Sequence, residues 1–111
     1  MSLELYNFLM KIKEMPGLYL GKSSLIYLKY FINGYSFRDW ERNKDGEPFI
    51  NAKEFEKYVT DMYGYDLSDP FKMTTRDSFG LIADDSVSDE EAFFKFFTIL
   101  ESYVKTTNPI C

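Results

Sequence analysis

The 111-residue sequence contains no histidine and only one cysteine, and these two shortages exclude several kinds of chemistry. Without an imidazole there can be no Ser-His-Asp or Cys-His catalytic pair and no histidine-metal phosphohydrolase site. Cys111 cannot close an internal disulfide, and with no histidine to activate it we interpret it as a free thiol. The first residues also lack the basic flank and apolar stretch of a secretory signal, so we expect a cytoplasmic protein.

Long apolar runs and an excess of basic residues are also missing. No run approaches the ~20 apolar residues of a bilayer-spanning helix, so we expect no membrane contact. Residues 1 to 50 carry seven basic and six acidic side chains, whereas residues 51 to 111 carry six and twelve, which gives the net charge of −5. Because phosphates require a basic surface, this balance argues against direct nucleic-acid binding and is compatible with a basic protein partner.

What the chain does contain is enough apolar material for one core. Hydrophobic residues make up 45% of the sequence and aromatic residues 19%, which excludes a disordered chain. Apolar side chains recur every three to four positions, and no segment shows a sustained alternation of period two. We therefore predict an all-α protein, with a single compact domain over residues 1 to 111 and about five helices in an irregular or orthogonal bundle.

The first two predicted helices flank an apolar connector at residues 15 to 24. Ser2 can cap a helix over residues 3 to 14, and the Pro-Gly pair in the connector ends it in an ordered loop. Ser23 or Ser24 then caps a second helix that carries two apolar stripes, so we expect this helix to be central. One stripe comprises Leu25, Leu28, Phe31, Ile32 and Tyr35, and the other comprises Ile26, Tyr30, Phe37 and Trp40.

A third helix is predicted after the polar break at residues 43 to 48. Asn51 and Glu54 form a start that resembles a capping box, and Gly64 is placed to end the helix. Its predicted buried face comprises Phe55, Tyr58, Val59 and Met62.

Two more helices are predicted after a loop over residues 65 to 73. Thr74 or Thr75 can cap a short fourth helix, while Ser88 and Glu91 form a capping box for the last one. The fourth helix contributes Phe79, Leu81 and Ile82, and the last contributes Phe93, Phe96, Phe97, Leu100, Tyr103 and Val104. Tyr27 and Phe94 lie off these apolar stripes, so we expect both rings to be partly exposed.

Two classes of enzyme were considered, and the sequence lacks the accompanying motifs that each class needs. Residues 16 to 21, Pro-Gly-Leu-Tyr-Leu-Gly, resemble a Pro-Gly-Met-Tyr-Ile-Gly string of gyrase-type ATPases, but the glycine-rich lid loops and the α/β pattern of those enzymes are missing. A helical magnesium-dependent pyrophosphatase needs acidic pairs on facing helices, whereas Asp66 and Asp69 fall in a loop beside Pro70. We therefore predict no enzymatic activity, no catalytic or metal-binding residue, and no cofactor.

Two blocks of sequence resemble a known group of proteins. They are Pro-Gly-Leu-Tyr-Leu-Gly-Lys-Ser-Ser-Leu within residues 15 to 35, and Asp-Glu-Glu-Ala-Phe followed by Phe96, Phe97, Leu100 and Tyr103. Both are similar to small all-α bacterial immunity proteins of polymorphic toxin and contact-dependent growth inhibition systems, with a variable middle at residues 41 to 75. The resemblance implies a protein that binds a cognate toxin, a basic nuclease domain, in the cytoplasm and blocks its active site or substrate groove. The alternative is a helical protein-interaction or regulatory module without a toxin partner.

The densest acidic part of the chain is the predicted partner-binding surface. It comprises Asp84, Asp85, Asp89, Glu90 and Glu91, with the loop acids Asp66 and Asp69 as possible neighbours. A surface of one sign can attract a basic nuclease and orient it. A structural alternative remains open, because Asp89 and Glu90 also favour the helix dipole and Glu91 can close the capping box. Residues 35 to 49 are the next region to test.

Overall fold

A computed structural model describes residues 3–42, 52–66, 68–71 and 76–107, and within these ranges the chain forms six helices and no strand. The helices are α1 (Leu3–Glu14), α2 (Pro16–Leu20), α3 (Leu25–Arg42), α4 (Ala52–Met62), α5 (Ser78–Asp84) and α6 (Asp89–Thr107). Every helix except α2 contributes fully buried side chains to one hydrophobic core, so the all-α prediction is confirmed. None of the described helices combines the length and the apolar character that crossing a membrane requires.

The helix α1 follows the predicted pattern closely. Its buried side chains are Leu5, Leu9 and Ile12, while Glu4, Asn7 and Lys11 face solvent. Near its end, Nζ of Lys13 lies 2.9 Å from Oε2 of Glu101, which links α1 to α6. The predicted apolar arc of this helix is therefore the face that packs on the core.

The connector after α1 contains the helix that the sequence did not predict. Pro16 ends α1, but its fixed φ and missing N–H also suit the first position of a new helix. The amides of Leu18 and Tyr19 donate to the carbonyl of Met15 at 3.1 and 3.4 Å. Gly21, with a φ of 86°, ends this single turn in the left-handed region that favours glycine. The expected loop is therefore a short helix between two breaks.

The central helix is α6, not the second predicted helix as expected. Phe93, Phe96 and Phe97 on α6 are completely buried. The ring of Phe96 stacks on Phe79 of α5, with centroids 5.4 Å apart, and meets Phe55 of α4 edge-on at 6.1 Å. Because these rings come from three helices, α6 joins α4 and α5 in the middle of the core.

The helix α3 is apolar on two sides, but only one side is buried. Of the two serines predicted as alternative caps, Ser24 is the one that caps the helix, since the amide of Tyr27 donates to Oγ of Ser24 at 3.1 Å. Its buried residues are Leu25, Leu28 and Ile32. On the other apolar side, Ile26 (55%), Tyr30 (69%) and Phe37 (62%) are exposed, and we call these three residues the α3 stripe. The prediction that this second stripe packs inside the protein is therefore wrong; the side chain of Trp40 lies outside the described residues.

Gly64 ends α4 as the sequence predicts. Its φ is +83°, and its amide donates to the carbonyl of Asp61 at 3.1 Å, while the amide of Tyr65 donates to the carbonyl of Thr60 at 2.9 Å. These two bonds form a Schellman motif, which satisfies carbonyls in the last turn of the helix. Phe55 and Val59 are buried, but Met62 is 47% exposed, so its predicted place in the core is wrong.

The helix α5 is capped by residues other than the predicted threonines. Oδ1 of Asp77 accepts a hydrogen bond from the amide of Gly80 at 2.8 Å. The Glu56 carboxylate of α4 accepts from the amide of Ser78 at 2.9 Å and from its hydroxyl at 2.6 Å. The amides at this end of α5 are therefore held by two carboxylates. The other predicted caps, Ser2, Asn51, Thr74 and Thr75, lie outside the described residues.

Candidate functional site

Five of the predicted acids surround the short connection between α5 and α6. This acidic cluster consists of Asp84, Asp85, Asp89, Glu90 and Glu91. Arg76 pairs with Asp84, with Nη2 2.9 Å from Oδ1. Nζ of Lys95 lies 3.3 Å from Oδ2 of Asp85 and 3.5 Å from Oε1 of Glu91. Within the described residues, two paired cations therefore face five carboxylates, which leaves three formal negative charges uncompensated.

Asp89 connects α6 to the beginning of α3. Its Oδ1 accepts hydrogen bonds from the amides of Leu25 at 3.0 Å and Ile26 at 3.2 Å, and its Oδ2 accepts from the hydroxyl of Ser24. Ser24 is completely buried. A carboxylate at this position satisfies free amides in the first turn of α3 and complements the positive end of its dipole. Asp89 lies in the first turn of α6, where the sequence suggested a dipole role, and its bonds to the start of α3 are an additional role that the sequence did not suggest.

Asp85 is held by Tyr63, which directly follows α4, and by Lys95 of α6. The hydroxyl of Tyr63 donates to Oδ2 of Asp85 at 3.0 Å, and Lys95 donates to both the carboxylate and the backbone carbonyl of Asp85. Burial, followed by the bond to Asp85, raises the pKa of Tyr63 to about 12. The bonds from Tyr63 and Lys95 hold the pKa of Asp85 below its usual value. At neutral pH Asp85 is therefore an ionised carboxylate with a defined orientation.

Glu91 closes the predicted capping box in a slightly different way. The amide of Glu91 donates to Oγ of Ser88 at 3.1 Å, but the Glu91 carboxylate accepts from the amide of Val87 at 2.9 Å, one residue before the cap. Glu90 is exposed and makes no hydrogen bond or ion pair in the described part of the chain. Asp84 pairs with Arg76 at a solvent-exposed position. Glu90 and Asp84 are therefore the members of the cluster most available to a partner.

The loop acids Asp66 and Asp69 shape their own loop. The carboxylate of Asp66 accepts from the amide of Ser68 at 2.9 Å and from its hydroxyl at 2.6 Å. Asp69 accepts from the amide of Phe71 at 2.9 Å. Both acids therefore make the local turns that this residue type favours. Tyr63, three residues before Asp66, donates a hydrogen bond to Asp85 of the acidic cluster.

An apolar groove adjoins the acidic cluster. This α5/α6 groove has a volume of about 340 Å³ and lies between the start of α3, the helix α5 and the start of α6. Its apolar walls include Leu25, Ile26, Phe79, Ala83, Val87 and Ala92. Val87 is 93% exposed, and Ile26 joins the groove to the α3 stripe. No pattern in the sequence predicted this groove; its one local signal is a valine, Val87, in the acidic turn between Asp84 and Asp89.

The two aromatic rings that the sequence predicts to be partly exposed, Tyr27 and Phe94, are partly exposed in the structure. Tyr27 is 47% exposed and Phe94 is 43% exposed. Nζ of Lys22 lies 4.9 Å from the ring centroid of Tyr27, and Phe94 packs edge-on against Phe93 with centroids 5.1 Å apart. Each ring therefore has a neighbour in the fold and a face that solvent can reach.

The acidic cluster and the α5/α6 groove together offer a partner negative charge and apolar surface. Among the described residues, no group of three or more acidic or cysteine side chains could hold a metal ion. The acidic cluster offers oriented carboxylates, and the α5/α6 groove beside it offers an open apolar recess. No protein-family model matches this chain, and no curated protein or solved structure matches it either.

Proposed function

We propose that this protein is an immunity protein, which binds a cognate bacterial toxin and neutralises it by covering the basic active-site or substrate surface of a nuclease domain. The observation that carries the proposal is the acidic cluster, with three uncompensated negative charges around the connection between α5 and α6. The resemblance of residues 15 to 35 and 89 to 103 to immunity proteins supports a toxin as the partner.

The charge of the cluster suits a nuclease for a physical reason. A nuclease must present basic side chains to phosphate, and an acidic surface is attracted to the same side chains. Because Asp85 and Glu91 already have defined hydrogen-bond partners, little side-chain entropy is lost when a partner binds them. Such a surface should associate quickly at low salt and more slowly at high salt.

The exposed apolar side chains of α3 also support protein binding. Tyr30 and Phe37 of the α3 stripe are large rings with more than half of their surface exposed. Protein interfaces commonly combine an apolar, aromatic-rich centre with a charged rim. The α3 stripe and the α5/α6 groove could supply the centre, and the acidic cluster could supply the rim.

A matched pair of charge reversals tests this proposal. Glu90→Lys changes an exposed acid at the second position of α6, and Glu4→Lys makes the same change at the second position of α1. Because both positions lie in the first turn of a helix, the cost from the helix dipole should be similar. The gene immediately upstream is sequenced first, and where it encodes a large secreted protein, the C-terminal domain of that protein is the partner used in the test. Two quantities are measured for each variant: the protection of growing cells against this domain, and the rate of association with it at two salt concentrations.

We expect Glu90→Lys to slow association several-fold at low salt, to weaken its salt dependence and to reduce protection, while Glu4→Lys behaves like the parent. Equal rates and equal protection for both variants would show that the acidic cluster is not the interface. A parent chain that fails to protect against that domain, or a metabolic operon in place of a toxin gene, would instead favour the interaction module without a toxin.

A further inference from the structure

We propose that the α5/α6 groove receives an apolar side chain from a basic amphipathic helix of the partner. The inference rests on the proposed function for the partner's positive charge, and it adds the form of the partner segment and the point where it is anchored. The groove lies directly beside the acidic cluster, since Asp89 and Ser88 belong to its lining.

The size of the groove fits a small number of side chains. An apolar cavity of about 150 Å³ is large enough to hold a benzene ring. At about 340 Å³ the α5/α6 groove can therefore take one large aromatic side chain or two smaller aliphatic ones. Val87 and Ile26 stand exposed at its edge, so an incoming side chain would bury apolar surface on both.

Most backbone groups around the groove already have hydrogen-bond partners within the protein, which favours a helix as the occupant. The amides of Leu25 and Ile26 donate to Asp89, and the amide of Val87 donates to Glu91. At the end of α5, the carbonyls of residues 81, 82, 83 and 85 already accept hydrogen bonds. An extended partner segment would need free backbone groups to pair with, as it finds at a sheet edge. A helix satisfies its own backbone and needs only side-chain contacts.

The charges around the groove define the flanks of that helix. Glu90 is unpaired in the described part of the chain, and Asp84 and Asp85 lie at the opposite end of the same connection. Lys29, the one cation in the lining, is bound to Asp77 with Nζ 3.2 Å from Oδ2. Lysine or arginine residues beside the apolar anchor would therefore meet carboxylates rather than an unpaired cation.

A substitution at Val87 separates the groove from simple charge attraction. Val87→Asp adds a negative charge, so charge alone predicts tighter binding of a basic peptide, whereas loss of the apolar edge predicts weaker binding. Phe71→Asp is the matched control, because Phe71 is 96% exposed on a different loop and receives the same charge. The probe is a fluorescently labelled amphipathic peptide of leucine and lysine, compared with the same pattern of leucine and glutamate. Binding is followed by fluorescence anisotropy.

We expect the leucine/lysine peptide to bind the parent, Val87→Asp to weaken that binding about tenfold and Phe71→Asp not to weaken it. Ile26→Ala, which changes no charge, should also weaken it, and amide chemical shifts should change at residues 26, 83 and 87. Equal or tighter binding by Val87→Asp would overturn the proposal. The proposal would also be overturned if the parent chain did not bind the peptide but still protected cells from the toxin, and that result would leave the proposed function intact. Peptide binding at the groove without toxin protection would support the groove and refute only the toxin role.

Discussion

Removing the Asp89 carboxylate should destabilise the fold, even though this residue belongs to the acidic cluster. In Asp89→Ala the buried hydroxyl of Ser24 loses its acceptor, which costs about 1 to 3 kcal/mol. Loss of the carboxylate at the start of α3 costs about 1 kcal/mol more. Water can replace part of the bond to the amide of Ile26, because Ile26 is exposed. We therefore expect the free energy of unfolding to fall by about 2 to 4 kcal/mol.

Urea unfolding followed by far-UV circular dichroism at neutral pH measures this loss. Since about 1 kcal/mol corresponds to roughly 4 to 8 °C in a domain of this size, the melting temperature should also drop by at least about 8 °C. Asp89→Asn keeps one carbonyl acceptor and should lose less than Asp89→Ala. Glu90→Ala is the control: its side chain is exposed, so its stability should stay within about 0.5 kcal/mol of the parent.

The reasoning would be refuted if Asp89→Ala and Glu90→Ala unfolded at the same urea concentration with the same slope. That result would mean that the contact between α6 and the start of α3 contributes nothing to stability. The predicted result would show that Asp89 should be left unchanged when the interface is mapped, because any loss of binding would then reflect unfolding.

Two further predictions concern the core and the pH dependence of stability. Phe97 is fully buried on α6, so Phe97→Ala should lower the free energy of unfolding by about 3 to 5 kcal/mol. A variant that melts at the same temperature as the parent would contradict the place of Phe97 in the core. The pKa of Asp85 is lowered by Tyr63 and Lys95; that of Asp77 is raised by burial but lowered overall by the Gly80 amide and Lys29. A lowered folded-state pKa gives stability that is present above the unfolded value of about 3.9 and is lost as the pH falls through the folded value. The urea concentration at the midpoint of unfolding should therefore decrease as the pH is lowered below about 4. The decrease should be less steep in an Asp77→Asn/Asp85→Asn variant, and identical pH profiles for the two proteins would count against these contacts.

Much of the secondary structure could be predicted because it depends on neighbours three or four residues apart. The predicted range of α1, the cap at Ser24 and the stop at Gly64 all agree with the structure. Each depends on a hydrogen bond or a backbone preference within one helical turn. Pro16 was misjudged for a local reason too, because the same proline can end one helix and begin the next.

The candidate site was predicted only in part. The sequence places five acids close together along the chain, and the turn between α5 and α6 keeps them together in space. It could not show which of them already have partners, since Asp85 binds Tyr63, just after α4, and Asp89 binds Ser24, just before α3. These partners lie 22 and 65 residues away along the chain, beyond the reach of any local pattern.

The sequence by itself determined the all-α fold, several of the helix ends and the negative charge of the second half, because periodicity, capping and composition are local properties. Only the tertiary structure decided which apolar stripe of α3 is buried. Both stripes are apolar in the sequence, and the choice depends on the neighbouring helices, among them α5 and α6, which contact α3. Leu28 is fully buried in this packing, whereas Tyr30 remains in solvent. The α5/α6 groove has the same origin, since its walls come from three helices whose packing depends on contacts distant in the chain.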